Sequence, residues 1–185
     1  MSADIIKDAG KKMESAVSHA REDFAAIRTG RANPAMFNKI MVDYYGAMTP
    51  LQQLASFQVP EARTVLISPY DKGSVNAVEK AVRDSDLGVN PSTDGNVVRC
   101  VLPSLTEERR KEYTKMAKAK AEEGRIAVRN VRRSANDDLK KQEKDKEISE
   151  DQLTRLEKEL DQVTKKHVEE IDELLKAKEA ELMEV

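Results

Sequence analysis

SLTEERRKEYTKMAKAKAEEGRIAVRNVRRSANDDLKKQEK, residues 104–144, follows Pro103 and runs about 40 residues without another proline. Tyr113, Met116, Ala117, Ala121, Gly124, Val128, Val131, Ala135 and Leu139 recur at helical spacing, so the stretch reads as one amphipathic helix. Ser104 or Thr106 can cap its start, where Glu107 and Glu108 favour the positive end of the dipole. At about 1.5 Å per residue the rod is roughly 60 Å long. A stripe this narrow is not stable alone in water, so the helix needs partners.

Two other segments supply them. From about Asp4 to Thr29, Ile6, Ala9, Met13, Ala16, Val17, Ala20, Phe24 and Ile27 step by three and four. Gly30 offers a stop, and Pro34 opposes resumption. After Lys144 a new helix starts at Ser149-Glu150-Asp151-Gln152, a capping box. Its stripe is Leu153, Leu156, Leu160, Val163, His167, Ile171, Leu174 and Leu182. Three stripes in one chain satisfy each other as a three-helix bundle; an intermolecular coiled coil is the competing solution. Burial of Val131 and Leu160 is expected.

Arg125, Arg129, Arg132 and Arg133 occupy nine residues, RIAVRNVRR, with no acid among them. Helical spacing puts all four on one face, while Val128 and Val131 belong to the apolar stripe. A guanidinium fork matches phosphate geometry, which suggests contact with structured RNA. A solvated basic face is the plainer reading, since charge runs are common on long helices. The chain has 32 basic and 34 acidic residues, so RNA affinity has to come from a local patch. High charge with 4% aromatics can signal disorder, but the apolar residues here are periodic. The lone Cys100 suits a reducing compartment. Neither a secretory signal nor a membrane span is legible, so a cytoplasmic protein is expected.

Residues 31–104 differ from the helices and hold all six prolines. Ile40, Val42 and Tyr44 alternate, as do Phe57 and Val59; TVLI at 64–67 and VVRCVL at 97–102 are further strand candidates. A short helix over about 74–85 carries Val75, Val78 and Val82 on one face. Tyr45-Gly46, Thr49-Pro50, Ser68-Pro69, Asn90-Pro91 and Asp94-Gly95 read as turns. The expected class is α+β: a long three-helix bundle of residues 1–30 and 104–185, with a small β-rich (β/α/β) domain, 31–103, inserted. The two crossings, at Gly30, Arg31 and Ala32 and at Pro103, Ser104 and Leu105, form a candidate hinge. There, Gly30 would hold a backbone angle that a Cβ resists.

No catalytic motif appears. His19 and His167 lie on separate helices, and His167 holds a stripe position, as a packed histidine would. One cysteine and two histidines lack zinc-site spacing, and no phosphate-binding glycine loop is present. A binding or mechanical role follows, without cofactor or metal.

IRTGRANP (27–34), VDYYG (42–46), TPLQQLA (49–55), SDLGVNP (85–91), LPSLTEERRKEY (102–113), AVRNVRRSAND (127–137) and DKEISED (145–151) together resemble the bacterial ribosome recycling factor family, in order and along the whole chain. The resemblance implies an L-shaped molecule that mimics transfer RNA and acts as a monomer in the cytoplasm. With elongation factor G and GTP it would take apart the post-termination ribosome, hydrolysing nothing itself. Initiation factor three would then hold the small subunit apart. It further implies that Arg129 and Arg132 contact ribosomal RNA of the large subunit. Arg125 and Arg133 follow by geometry, and Arg28 and Arg31 match a segment that touches RNA or sets the hinge. The inserted domain would meet elongation factor G. A helical adaptor or chaperone that binds protein through the bundle is the rival, and it predicts no RNA affinity.

Overall fold

The computed structural model describes residues 2–184 and is α+β. It divides into two compact units: the chain through Phe24 with Lys115–Glu179, and Ala25–Thr114 with the residues from Ala180.

The first unit is helical and holds most of three helices, α1 (Ser2–Ala25), α4 (Glu107–Lys144) and α5 (Glu150–Met183); residue 25, residues 107–114 and residues 180–183 fall in the second unit. Gly124 of α4 faces Ala20 and Ile171, and Gly10 of α1 faces Val163 of α5. Arg125 meets Asp172 and Arg132 meets Asp161. These pairings run α4 antiparallel to α1 and α5, an up-down-up arrangement of three helices. Ala9, Met13, Val17, Ala20, Ala117, Ala121, Val128, Ala135, Leu139, Leu156, Leu160 and Ile171 are buried. A Cβ on Gly124 would lie 3.0 Å from Ile171 Cδ1, so glycine lets the helices approach closely there.

The helix ends follow from their sequences. The Thr106 hydroxyl accepts from the Arg109 N–H at 3.1 Å. Ser149 Oγ accepts from the Gln152 N–H at 3.1 Å, and Gln152 Oε1 accepts from the Ser149 N–H at 2.8 Å, a reciprocal box. Helix α4 closes with Glu147 N–H on the Gln142 carbonyl and Lys146 N–H on that of Glu143, while Lys146 sits at φ +61°. This is a Schellman closure with lysine in the left-handed position.

The second unit carries two antiparallel sheets. Strands β1 (Met41–Tyr44) and β2 (Ala47–Pro50) form a hairpin whose turn residues, Tyr45 and Gly46, have φ of 51° and 88°. Two positive φ values match the twist of a two-residue hairpin. Helix α2 (Leu51–Leu54) leads into β3 (Ala55–Glu61), β4 (Thr64–Pro69), α3 (Val75–Arg83), β5 (Asn90–Asp94) and β6 (Val97–Val101). The four strands are ordered β3-β4-β6-β5. Val75, Val78 and Val82 of α3 join Val42, Leu51, Val65, Ile67, Val98, Cys100 and Leu102 in one core, with Phe37 and Phe57 rings 5.8 Å apart.

Several sequence expectations need correction. Helix α1 stops at Ala25, short of Thr29. Pro34 does not merely block a helix: it opens a 3-10 turn, Pro34–Phe37, capped by Asn33. Met116 is exposed and Val131 only half-buried, because both lie at the edge of the α4 stripe. Thr49-Pro50, Ser68-Pro69 and Asn90-Pro91 belong to strands rather than turns. Pro60 and Pro91 sit on the edge strands β3 and β5, where a missing N–H need not break a ladder.

Candidate nucleic-acid interface

Within the first unit, the buried side of α4 is set by Ala117, Ala121, Val128, Ala135 and Leu139. At about 100° per residue, Arg132 and Arg125 lie roughly 40° and 60° round the helix from that direction, Arg129 about 100° and Arg133 about 140°. The four therefore form two rows. The inner row reaches toward α5. Arg125 Nε and Nη2 meet Asp172 Oδ1 at 2.7 Å, and its Nη1 meets Glu122 at 3.1 Å. Its side chain is 21% exposed; burial works against the charge, yet Asp172 and Glu122 raise its pKa above the ordinary value. Arg132 Nη1 lies 3.2 Å from Asp161 Oδ1, with its side chain 43% exposed.

The outer row is freer. Arg129 makes only a loose approach to Glu122, at 3.7 Å, and is 53% exposed. Arg133 is exposed and has no ion pair or hydrogen bond among the described residues. The cationic face is also longer than the RIAVRNVRR segment suggests. Lys115, Lys118 and Lys140 are exposed and fall within the same arc, extending it over roughly 38 Å of helix. Glu122 is the one acid of that arc between Lys115 and Lys140. The signal was present in the sequence, but it emerges only when the helical phase is carried past the arginine cluster.

Arg28 and Arg31 belong to the second unit. Arg28 is buried: its Nη1 donates to the Leu87 carbonyl at 2.9 Å, and its Nη2 donates to that of Pro103. Burial lowers its pKa, and neighbouring Tyr113 offsets part of that effect. Its guanidinium is thus spent on joining the loops at Leu87 and Pro103, and it presents no fork to a phosphate in this conformation. Arg31 is exposed beside the Thr29 hydroxyl. The other expected hinge residues, Gly30, Ala32, Pro103, Ser104 and Leu105, lie in the same unit. Ala32 N–H donates to Ala62, Leu102 N–H donates to Arg63, and Arg63 also reaches the Ser104 hydroxyl. Gly30 is not among the glycines with positive φ, and a Cβ there would make only an ordinary 3.7 Å contact with the Glu184 carbonyl. The expectation that its backbone angle demands glycine is therefore wrong. No helix among the described residues is long and apolar enough to cross a membrane.

The sequence model of the ribosome recycling factor family matches residues 20–183. The ribosome-recycling factor of Cutibacterium acnes is 82% identical over 183 residues, covering 99% of this chain and all of that protein. That of a Nocardioides species is 63% identical, covering 98% of each. A solution structure of a ribosome recycling factor superposes with a TM-score of 0.76 at 42% identity, over all of this chain and 98% of that one. A second match, with a TM-score of 0.70 at 40% identity and full coverage of both chains, comes from models of the T. thermophilus ribosome recycling factor and E. coli elongation factor G bound to the E. coli post-termination complex. The chain belongs to the ribosome recycling factor family.

Proposed function

We propose that this protein, with elongation factor G and GTP, disassembles the post-termination ribosomal complex in the cytoplasm so that the subunits can be reused. The family is one of non-enzymatic translation factors. The observation that carries the reading is likeness along the full chain to a recycling factor described together with elongation factor G on such a complex. The helical segments 1–30 and 104–185 hold the large subunit, and the inserted segment 31–103 meets elongation factor G. The α4 face makes the RNA contact: Arg129 and Arg133 are open to solvent, and Arg125 and Arg132 are held at the ready by acids of α5 and by Glu122. A hinge at Gly30, Arg31, Ala32, Pro103, Ser104 and Leu105 would let a push on the inserted segment reach the subunit interface. The protein acts as a monomer, and initiation factor three keeps the freed small subunit apart.

Sedimentation with purified large subunits at two salt concentrations tests the RNA contact. Salt-sensitive co-sedimentation is expected. Salt-insensitive binding that ignores the arginines would favour the adaptor reading. A cross-link between segment 31–103 and the helical segments tests the mechanical part. It should leave subunit binding intact and reduce GTP-dependent splitting; full splitting by the locked form would remove hinge motion from the mechanism.

A further inference from the structure

His167 of α5 is only 6% exposed, and its Nδ1 lies 2.7 Å from the Val163 carbonyl oxygen. A carbonyl cannot donate, so Nδ1 carries a proton and Nε2 is the nitrogen left to face outward. Nε2 does not point into apolar core. It lies 3.5 Å from Glu14 Oε2 of α1. Glu170, three residues beyond His167, adds a second carboxylate from the same face of α5. One ligand atom from each of the three residues lies within 4.8 Å of the other two. Among the described residues, neither carboxylate has an ion pair or hydrogen bond elsewhere. Three metal-ligating side chains from two helices thus converge on one point, close enough for a single cation to reach all three.

We propose that Glu14, His167 and Glu170 form a binding site for a divalent transition metal of the zinc class, which ties α1 to α5. The donor set selects the metal. One imidazole nitrogen with two carboxylates suits zinc, nickel or cobalt, whereas calcium and magnesium prefer all-oxygen shells and copper(I) prefers sulfur. Ligand atoms about 2.0–2.2 Å from zinc in a tetrahedron stand roughly 3.4 Å apart, so the His167–Glu14 spacing already fits. Glu14 is exposed and Glu170 half-buried, which leaves their side chains room to close the remaining distance. The Nδ1–H bond to Val163 fixes ring orientation and tautomer, the usual support for a ligating histidine. Three protein ligands leave a fourth position for water.

The test uses the full chain freed of metal by a chelator. Zinc is titrated by calorimetry and by thermal melting, and cobalt by its visible absorption. One equivalent of zinc should bind, and the melting midpoint should rise by several degrees at about a hundred-fold excess over Kd. Glu14→Gln changes an exposed side chain and should leave the metal-free protein folded while lowering zinc affinity at least about tenfold. His167→Gln should abolish site binding, and His19→Gln should leave it unchanged. If His167→Gln does not fold, Glu14→Gln decides alone. The proposal is overturned if zinc does not bind, if zinc affinity is unaffected by Glu14→Gln, or if magnesium produces the same rise as zinc.

Discussion

Replacing Arg132 by alanine is the most discriminating test of the α4 face, because Arg132 is both exposed and engaged. Its bridge to Asp161 joins side chains that are 43% and 64% exposed. Such a surface pair contributes about 0–1 kcal/mol. A guanidinium–phosphate contact shielded from water inside an RNA interface is worth about 1.5–3 kcal/mol, whereas the Asp161 pair stays solvent-exposed, so a phosphate should displace Asp161. Four arginine–phosphate contacts give a log-log salt slope of roughly -3 to -4. Raising salt fourfold, from about 50 to about 200 mM, would then weaken binding by roughly 100-fold. Arg132→Ala should flatten the slope by about 0.9, so that the same change weakens binding by roughly 30- to 40-fold. At low salt the variant should bind about ten-fold or more weakly, with helicity unchanged by circular dichroism because no core contact is lost. Arg132→Lys should rescue only in part, since lysine lacks the planar fork. Asp161→Asn removes the competing acid and should tighten binding. The assay is sedimentation or filter binding with large subunits over a salt series. Wild-type affinity and slope in Arg132→Ala would show that this face does not meet phosphate.

Leu160 is 1% exposed, so Leu160→Ala should cost about 2–5 kcal/mol in a urea titration; a midpoint within error of wild type would show that α5 does not pack as described. Lys146 holds a left-handed backbone that costs an L side chain, and Lys146→Gly should raise stability by about 1 kcal/mol in the same titration; an unchanged midpoint would count against strain at this cap. Burial, and secondarily Glu79, push the Cys100 thiol up to about 12. The folded value exceeds the unfolded one, so this stability is present below the unfolded thiol pKa and fades as pH rises toward 12. Denaturant midpoints should therefore fall on the alkaline side, less so in Cys100→Ala, and equal slopes in both proteins would refute the assignment. Asp71 is held below the ordinary carboxylate range by the Gly73 N–H and the Tyr44 and Tyr45 hydroxyls. Its contribution is present above the unfolded value and lost as pH falls through the lower folded one, so Asp71→Asn should flatten the acid limb of the stability profile.

The helices were legible because their determinants are local. The Ser149–Gln152 box and the Thr106 cap involve residues three apart, and the α1 and α5 stripes follow from one period. The α4 arginine cluster was legible for the same reason. Strands β2 and β5 were not, since Asn90-Pro91 and Thr49-Pro50 carry turn chemistry and become strands only by pairing with β6 and β1. The first-helix stripe does continue to buried Ile27, but the helix itself ends at Ala25. Periodicity reports which residues are covered, not how the backbone delivers them.

By itself the sequence determined the α+β class, three amphipathic helices with a β-rich stretch of chain between the first two, and a cationic face on the longest of them. Each rests on periodicity or spacing within a few residues. Tertiary structure alone decided the rest. It buried Arg28 against carbonyls 59 and 75 residues away and divided the α4 arginines into a bridged row and an open one. It also brought Glu14 of α1 to His167 and Glu170 of α5. Charge and chemistry are written in the chain, but whether a group meets solvent, a carbonyl or another ligand depends on helices packed from distant segments, and linear spacing carries no record of that packing.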